Sequence, residues 1–240
     1  MNMQEAKGCP TPMVSASRLS KHDGNPTVEG KIYRSAVGAL QYATITRPEI
    51  SFCVSKVSQF MANPLDSHWK AVKRILRYLA GSSDYGLHIL PSSFSLTGFS
   101  DSDWGADLDD RRSITGYCVY FGKTLISWCS KKQTVVSRSS TEAEYRSLAQ
   151  VTCELSWLKS LHEELKIKYL KPPTVWVDNI STISLASNPV LHSRTKQIEL
   201  DVHFVRDKVH GGEIDLRHVP TTIKSQTSSL NRSAINSSRD

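Results

Sequence analysis

The sequence predicts an α/β protein whose mixed five-stranded sheet is preceded by a small helical region. Residues 30–91 carry helical patterns, whereas residues 92–221 alternate between short strand-like segments and longer helical ones. Such alternation is typical of an α/β domain. Hydrophobic residues make up 39% of the chain, which is enough for a packed core.

The two ends of the chain depart from this pattern. Residues 1–29 are polar and contain several Pro, Gly and Ser residues, which predicts a flexible lead-in. Residues 222–240 are rich in Ser and Asn and show no usable periodicity. A polar segment of this kind cannot offset its ordering entropy by burial, so a disordered tail is expected.

Three helices are expected in the helical region. The first covers residues 32–42. The second opens at Pro48, because proline suits the first helical position, and it runs to about Phe60. Ser67 caps the third, which ends at Gly81.

The third helix has an apolar face and a basic face. The apolar residues at core spacing are Trp69, Val72, Leu76 and Leu79. The basic residues, here called the basic stripe, are Lys70, Lys73, Arg74 and Arg77. In a chain of formal charge +7, the basic stripe suggests contact with nucleic-acid phosphates, but a solvated helix face explains it equally well.

Seven elements are predicted in the α/β domain. In chain order they are strands at 96–101, 114–121 and 125–129, a helix at 141–165, a strand at 174–178, a helix at 198–209 and a strand at 213–219. The long helix carries an apolar stripe of Leu148, Val151, Leu155, Leu158, Leu161 and Leu165. Because a helical crossover precedes the fourth strand, that strand is expected to run parallel to the first.

Three acidic residues lie where different elements begin or end. Asp101 ends the first strand, Asp178 ends the fourth, and Glu144 lies on the first turn of the long helix. Carboxylates that lie close together at the ends of several strands and helices are typical ligands for Mg²⁺. Paired Mg²⁺ ions stabilise both the attacking and the leaving oxygen in phosphodiester cleavage. These acids therefore predict a magnesium-dependent nuclease.

Each acid also has a purely structural interpretation. Asp101 could form a turn, and Asp178 could cap the next helix. Glu142 and Glu144 both fit capping boxes, so one of them could serve only the helix end. Glu144 shares a helix face with Leu148 and is expected to point towards the sheet, whereas Glu142 is expected to point towards solvent. Glu144 is thus the better candidate ligand.

The composition of the chain argues against several classes of protein. The five cysteines are scattered without a Cys-x-x-Cys pair, so neither a disulfide framework nor a zinc site is expected. The first ten residues are polar, which argues against a signal peptide, and no apolar run has membrane-spanning length. The prediction is a soluble, intracellular protein without a membrane partner.

Several motifs resemble the Pol polyprotein of copia-type LTR retrotransposons. Residues 33–42, 46–50 and 68–78 are similar to the end of its reverse transcriptase region. Residues 100–104, 139–145, 177–179 and 194–203 are similar to the ribonuclease H domain that follows. The resemblance implies a ribonuclease H-like fold with Asp101, Glu144 and Asp178 as catalytic residues and metal ligands. The implied activity is Mg²⁺-dependent cleavage of the RNA strand of an RNA–DNA hybrid.

The chain also departs from this family. The polymerase palm is absent, so no polymerase activity is expected, and Gln197 stands where the family usually has His. After Thr221 the family continues with a helix, Asp-Gln-Ile-Ala-Asp-Ile-Leu-Thr-Lys-Pro-Leu, that carries a fourth carboxylate. Residues 223–233 can be written in codons that read as this helix once a single G is restored before them. We infer a one-nucleotide deletion and a frameshifted tail.

Two hypotheses follow for the activity. In the first, the chain is a ribonuclease H with three carboxylates, and its second Mg²⁺ site and its activity are impaired by loss of the fourth. In the second, it is a retrotransposon relic that binds nucleic acid without turnover. The nucleotide sequence around codon 223 and a hybrid-cleavage assay distinguish the two.

Overall fold

The computed structural model describes residues 7–14, 19–27, 29–169, 171–188 and 198–219. These residues form two compact units. The helical unit consists of described residues up to Leu87 together with Leu108–Asp110. The α/β unit consists of His88–Asp107 and the described residues from Arg111 onward.

The helical unit contains the three predicted helices. They are α1 (Gly30–Ala43), α2 (Ser51–Ser58), which follows a single 3₁₀ turn at Pro48–Ile50, and α3 (Asp66–Ala80). Their facing sides bury a core that includes Tyr33, Val37, Val57, Val72 and Ile75, all fully inaccessible to solvent. Leu76 and Leu79, predicted as core, lie only partly buried at its margin.

The described part of the predicted lead-in packs on this unit. Leu19 is buried in its core. The guanidinium group of Arg74 donates to the carbonyl oxygen of Thr11 at 3.1 Å, and that of Arg77 donates to the carbonyl oxygen of Lys7 at 2.9 Å. Residues 7–14 and 19–27 are therefore part of the helical unit and not a detached lead-in.

The α/β unit follows the predicted order with one additional helix. Its elements are β1 (Leu96–Asp103), β2 (Ile114–Phe121), β3 (Thr124–Lys132), α4 (Ser140–Glu164), β4 (Thr174–Val177), α5 (Ile180–Ser187), α6 (Glu199–His210) and β5 (Asp215–His218). Helix α5 is not predicted from the sequence. β1 extends two residues beyond its predicted end because its pairing with β2 continues to Asp103.

One mixed sheet forms the centre of this unit. Its strand order is β3-β2-β1-β4-β5, with β2 antiparallel to both neighbours and with β4 parallel to β1 and β5. The predicted mixed five-stranded sheet and the parallel pairing of the first and fourth strands are confirmed.

Among the helices of the described residues, α4 is the longest, and it packs on one face of the sheet. Its buried residues include four members of the predicted apolar stripe, Leu148, Val151, Leu155 and Leu158. Leu165 instead lies just beyond the helix end and is exposed. Within the described residues, neither α4 nor another helix combines the length and the apolar character that crossing a bilayer requires.

The contact between α4 and β1 requires a residue without a side chain at Gly98. A Cβ atom built there would lie 3.0 Å from Cγ2 of Val151 and 3.3 Å from Cδ1 of Leu155. Both neighbours belong to the fully packed core, with exposures of 0% and 1%. They have little room to retreat, because protein interiors are close-packed.

We expect Gly98→Ala to lower the free energy of unfolding by about 1 kcal/mol, because the added methyl group overpacks this contact. Gly116→Ala is the matched control in the neighbouring strand, since its Cβ would meet nothing closer than the Asp101 carbonyl oxygen at 3.8 Å. Urea denaturation of both variants measures the difference. Equal stability would show that α4 can move away from β1 at little cost.

Candidate metal centre

The three predicted acids meet at one end of the sheet. One carboxylate oxygen each from Asp101, Glu144 and Asp178 can be chosen so that all lie within 4.8 Å of one another. Within the described residues, no other group of three or more His, Cys, Asp or Glu side chains meets in this way. The structure thus brings the candidate site residues together.

Parallel pairing explains why Asp101 and Asp178 are neighbours. Ser100 of β1 pairs with Val177 of β4, and the two acids are the next residues along each strand. Because the two strands run parallel, both carboxylates lie at the end of the sheet where β4 stops and β1 continues to Asp103. Asp101 is exposed and Asp178 is half-buried.

Glu144 reaches the same point from α4 and is held there by the backbone of β1. Its side chain is buried, with an exposed fraction of 6%. The Ser102 amide lies 3.1 Å from Oε1 of Glu144 and 2.9 Å from Oδ1 of Asp101, and it donates to both. One N–H group therefore fixes two of the three carboxylates.

A buried serine locks α4 onto β1 beside these acids. The Ser147 hydroxyl donates to the Asp101 carbonyl oxygen at 2.7 Å, lies 3.1 Å from that of Gly116, and accepts from the Ser100 hydroxyl at 3.0 Å. Ser147 is not among the site residues predicted from the sequence. Its signal was a polar residue three positions after Glu144, on the helix face that was expected to meet the sheet.

Glu142 serves the helix end, but its predicted orientation towards solvent is wrong. The Ser139 hydroxyl accepts from the Glu142 amide at 3.1 Å, which makes Ser139 the N-cap. The Glu142 carboxylate accepts from the Arg138 amide at 2.9 Å and pairs with the Arg146 guanidinium at 3.0 Å. With these contacts Glu142 is buried, and its side chain is only 10% exposed.

Asp178 is not a helix cap. The N-cap of α5 is Asn179, whose Oδ1 accepts from the Thr182 amide at 3.2 Å. The structural interpretation of Asp178 is therefore wrong. Its backbone carbonyl oxygen lies 3.2 Å from Nε2 of His218 on β5.

The donor set fits a hard divalent cation. All three side chains offer carboxylate oxygens, which Mg²⁺ prefers. Oxygens that share one Mg²⁺ are at most ~4.2 Å apart, because each lies ~2.1 Å from the ion. The observed limit of 4.8 Å is thus within a small side-chain adjustment of joint coordination.

The remaining predicted functional residues lie elsewhere or outside the described residues. The basic stripe is on α3 of the helical unit, where Arg74 and Arg77 hold the N-terminal residues. The Lys73 ammonium lies 5.5 Å from the centre of the Trp69 ring. Gln197 and the tail at 220–240 lie outside the described residues.

Solved structures of low similarity include ribonuclease H proteins. The ribonuclease LC11-RNase H1, isolated from compost, aligns with 62% of this chain and all of its own, with 12% identity and a TM-score of 0.41. The foamy viral protease-reverse transcriptase in complex with an RNA/DNA hybrid aligns with 80% of this chain and 25% of its own, with 14% identity and a TM-score of 0.47.

Sequence relatives are much closer. No family model matches the chain. The retrovirus-related Pol polyproteins from transposons RE2 and RE1 of Arabidopsis thaliana are 48% and 47% identical to it over 92% of its length. That from transposon TNT 1-94 of Nicotiana tabacum is 40% identical over the same share. The chain spans 15% of the RE2 and RE1 polyproteins and 17% of the TNT 1-94 polyprotein. The chain therefore belongs to the retrovirus-related Pol polyproteins of copia-type transposons.

Proposed function

We propose that the α/β unit hydrolyses the RNA strand of RNA–DNA hybrids with Mg²⁺ held by Asp101, Glu144 and Asp178. The observation that supports this most directly is the convergence of three carboxylates from β1, α4 and the end of β4. Membership of the copia-type Pol polyproteins supports a nucleic-acid substrate. The excess of basic residues supports the same partner class.

The three acids have different settings and therefore different proposed roles. Glu144 is buried and fixed by the Ser102 amide, which suits a ligand that anchors the metal. Asp101 is exposed and can also approach a bound phosphate group. Asp178 completes the anionic site from the neighbouring strand. When bound, Mg²⁺ would activate the attacking water and neutralise charge on the phosphate oxygens.

The basic stripe remains a proposed contact for phosphates. Lys70 is exposed on α3, and Lys73 lies beside it on the same face. Arg74 and Arg77 already donate to backbone carbonyl oxygens, so their contribution to binding competes with those contacts. We propose that Lys70 and Lys73 carry most of any contact between the basic stripe and phosphate.

A second candidate function is nucleic-acid binding without turnover. The observation that favours it is the tail sequence, which lacks the acidic helix of the family after Thr221. Loss of a carboxylate removes charge that a second Mg²⁺ needs. Losses of single catalytic groups commonly slow a reaction on the order of a thousandfold.

The first test is cleavage of a labelled RNA–DNA hybrid in Mg²⁺. We expect slow RNA cleavage by the present chain and a further loss of about a thousandfold in Asp178→Asn, because that change removes a charged metal ligand. Asp103→Asn is the matched control, since Asp103 ends the same strand as Asp101 but lies outside the cluster. Equal rates in the two variants would contradict the proposed site.

The second test measures stability and does not depend on turnover. Without divalent ions, Asp178→Asn should raise the free energy of unfolding by about 1 kcal/mol, because it relieves repulsion among converging carboxylates. Mg²⁺ should stabilise the unsubstituted protein by binding the folded state, and Asp178→Asn should lose most of that gain. Thermal melts with EDTA and with Mg²⁺ measure both effects. If Mg²⁺ stabilises Asp178→Asn as much as the unsubstituted protein, the bound ion lies elsewhere.

The third test repairs the inferred deletion. Inserting one G before codon 223 should restore the acidic helix of the family and raise both thermal stability and Mg²⁺-dependent hybrid cleavage. A control variant carries the same insertion but has both Asp residues of that helix changed to Asn. It keeps the helix and removes its carboxylates, so it distinguishes the effect of packing from the effect of charge. If the repaired and present chains cleave equally fast, the fourth carboxylate is dispensable and the hypothesis of a catalytically dead relic fails.

A further inference from the structure

Trp104 is a large aromatic side chain that is both exposed and fixed. It follows the last residue of β1, and 53% of its surface is accessible to solvent. Its Nε1–H nevertheless donates to the carbonyl oxygen of Ser137 at 3.0 Å. The polar edge of the indole is thus satisfied within the protein, while much of the apolar ring remains available to a ligand.

The partner of the indole is itself firmly held. Ser137 is buried, and its hydroxyl donates to Oε1 of Gln133 at 2.9 Å. The Gln133 amide donates to Oγ1 of Thr115 at 3.1 Å and to the carbonyl oxygen of Ala143 at 3.0 Å. These bonds connect the indole to the turn of α4 that presents Glu144, so ring and carboxylate share one support.

The position of the ring suits a nucleotide close to the site of cleavage. Trp104 lies three residues beyond Asp101, which corresponds to roughly 10 Å along an extended strand. Successive nucleotides of one strand advance about 3.4 Å along the axis of a DNA duplex. The ring is therefore within a few nucleotides of a phosphate bound at the acidic cluster.

We propose that Trp104 is a substrate-binding residue whose exposed ring face packs against a sugar next to the phosphate that is cut. The proposal rests on the proposed function, since it assumes a hybrid at the acidic cluster. Sugar is the expected contact because paired bases are stacked inside a duplex, whereas the wide, shallow minor groove of A-form RNA helices displays the riboses and their 2′-hydroxyl groups.

If Trp104 served only to stabilise the fold through its Nε1–H bond, the outcome of substitution would differ. Trp104→Phe and Trp104→Leu both remove the Nε1–H bond to Ser137, so both should lose similar stability. Only Phe keeps an aromatic face. The difference between the two variants therefore reports the ring and not the anchoring bond.

A matched control is available on α4. Trp157 is similarly exposed, at 58%, but lies 13 residues after Glu144 on the same helix. At ~1.5 Å per residue this places it roughly 20 Å from the acid along the helix axis. Trp157→Leu removes a comparable exposed ring away from the acidic cluster.

The experiment measures binding of an RNA–DNA hybrid by fluorescence anisotropy in EDTA, which prevents Mg²⁺-dependent cleavage. We expect Trp104→Leu to weaken binding about tenfold, Trp104→Phe to remain within a few-fold of the unsubstituted protein, and Trp157→Leu to have no effect. Hybrid should also quench a component of the tryptophan emission that Trp104→Phe lacks, a readout that does not require the Leu variant to fold.

Each contrary result has a separate meaning. Equal affinity in Trp104→Leu and Trp157→Leu, or equal weakening in the Phe and Leu variants, overturns the substrate-binding role and leaves the proposed function standing. Absence of hybrid binding by the unsubstituted protein in EDTA overturns the substrate-binding role, and the proposed function falls as well only if the hybrid is neither bound nor cleaved in Mg²⁺. Quenching that persists unchanged in Trp104→Phe places the hybrid at another tryptophan and also overturns the role.

Discussion

The contact between β1 and α4 is the constraint on which the acidic cluster depends. At Gly98 the absence of a side chain lets the helix approach the strand, and at Ser147 a buried hydroxyl fixes their alignment. A shift of α4 by one helical turn, about 5.4 Å, would carry Glu144 away from Asp101. The packing of the core and the geometry of the candidate metal centre are therefore set by the same few atoms.

The two glutamates of α4 show how one turn of helix can separate two functions. Glu142 and Glu144 are two residues apart, so their side chains leave the helix in nearly opposite directions. Glu142 neutralises Arg146 and ties down the backbone before the helix, whereas Glu144 turns to the strand end. Both are buried, and only their partners distinguish a structural acid from a candidate ligand.

Much of this arrangement is predictable from the sequence because it follows local rules. Helical and alternating periodicity predict most of the elements, and acids at the ends of parallel strands predict that Asp101 and Asp178 meet. The errors come from contacts between residues distant in sequence or from competing partners. Arg77 binds the backbone of Lys7, which no local pattern of the first residues indicates. Glu142 could face solvent or pair with Arg146 four residues later, and it pairs with Arg146. The i,i+4 spacing of the two residues is the sequence signal for this contact.

The position of β1 in the sheet has a consequence for the dynamics of the centre. β1 is the middle strand, hydrogen-bonded to β2 on one side and β4 on the other, and α4 covers it. Amide protons of such strands exchange with solvent only when a large part of a domain opens, whereas edge strands such as β5 exchange through smaller fluctuations. We therefore expect the backbone around Asp101 and Glu144 to open last, so that fraying at the sheet edges leaves the mutual geometry of the two acids intact.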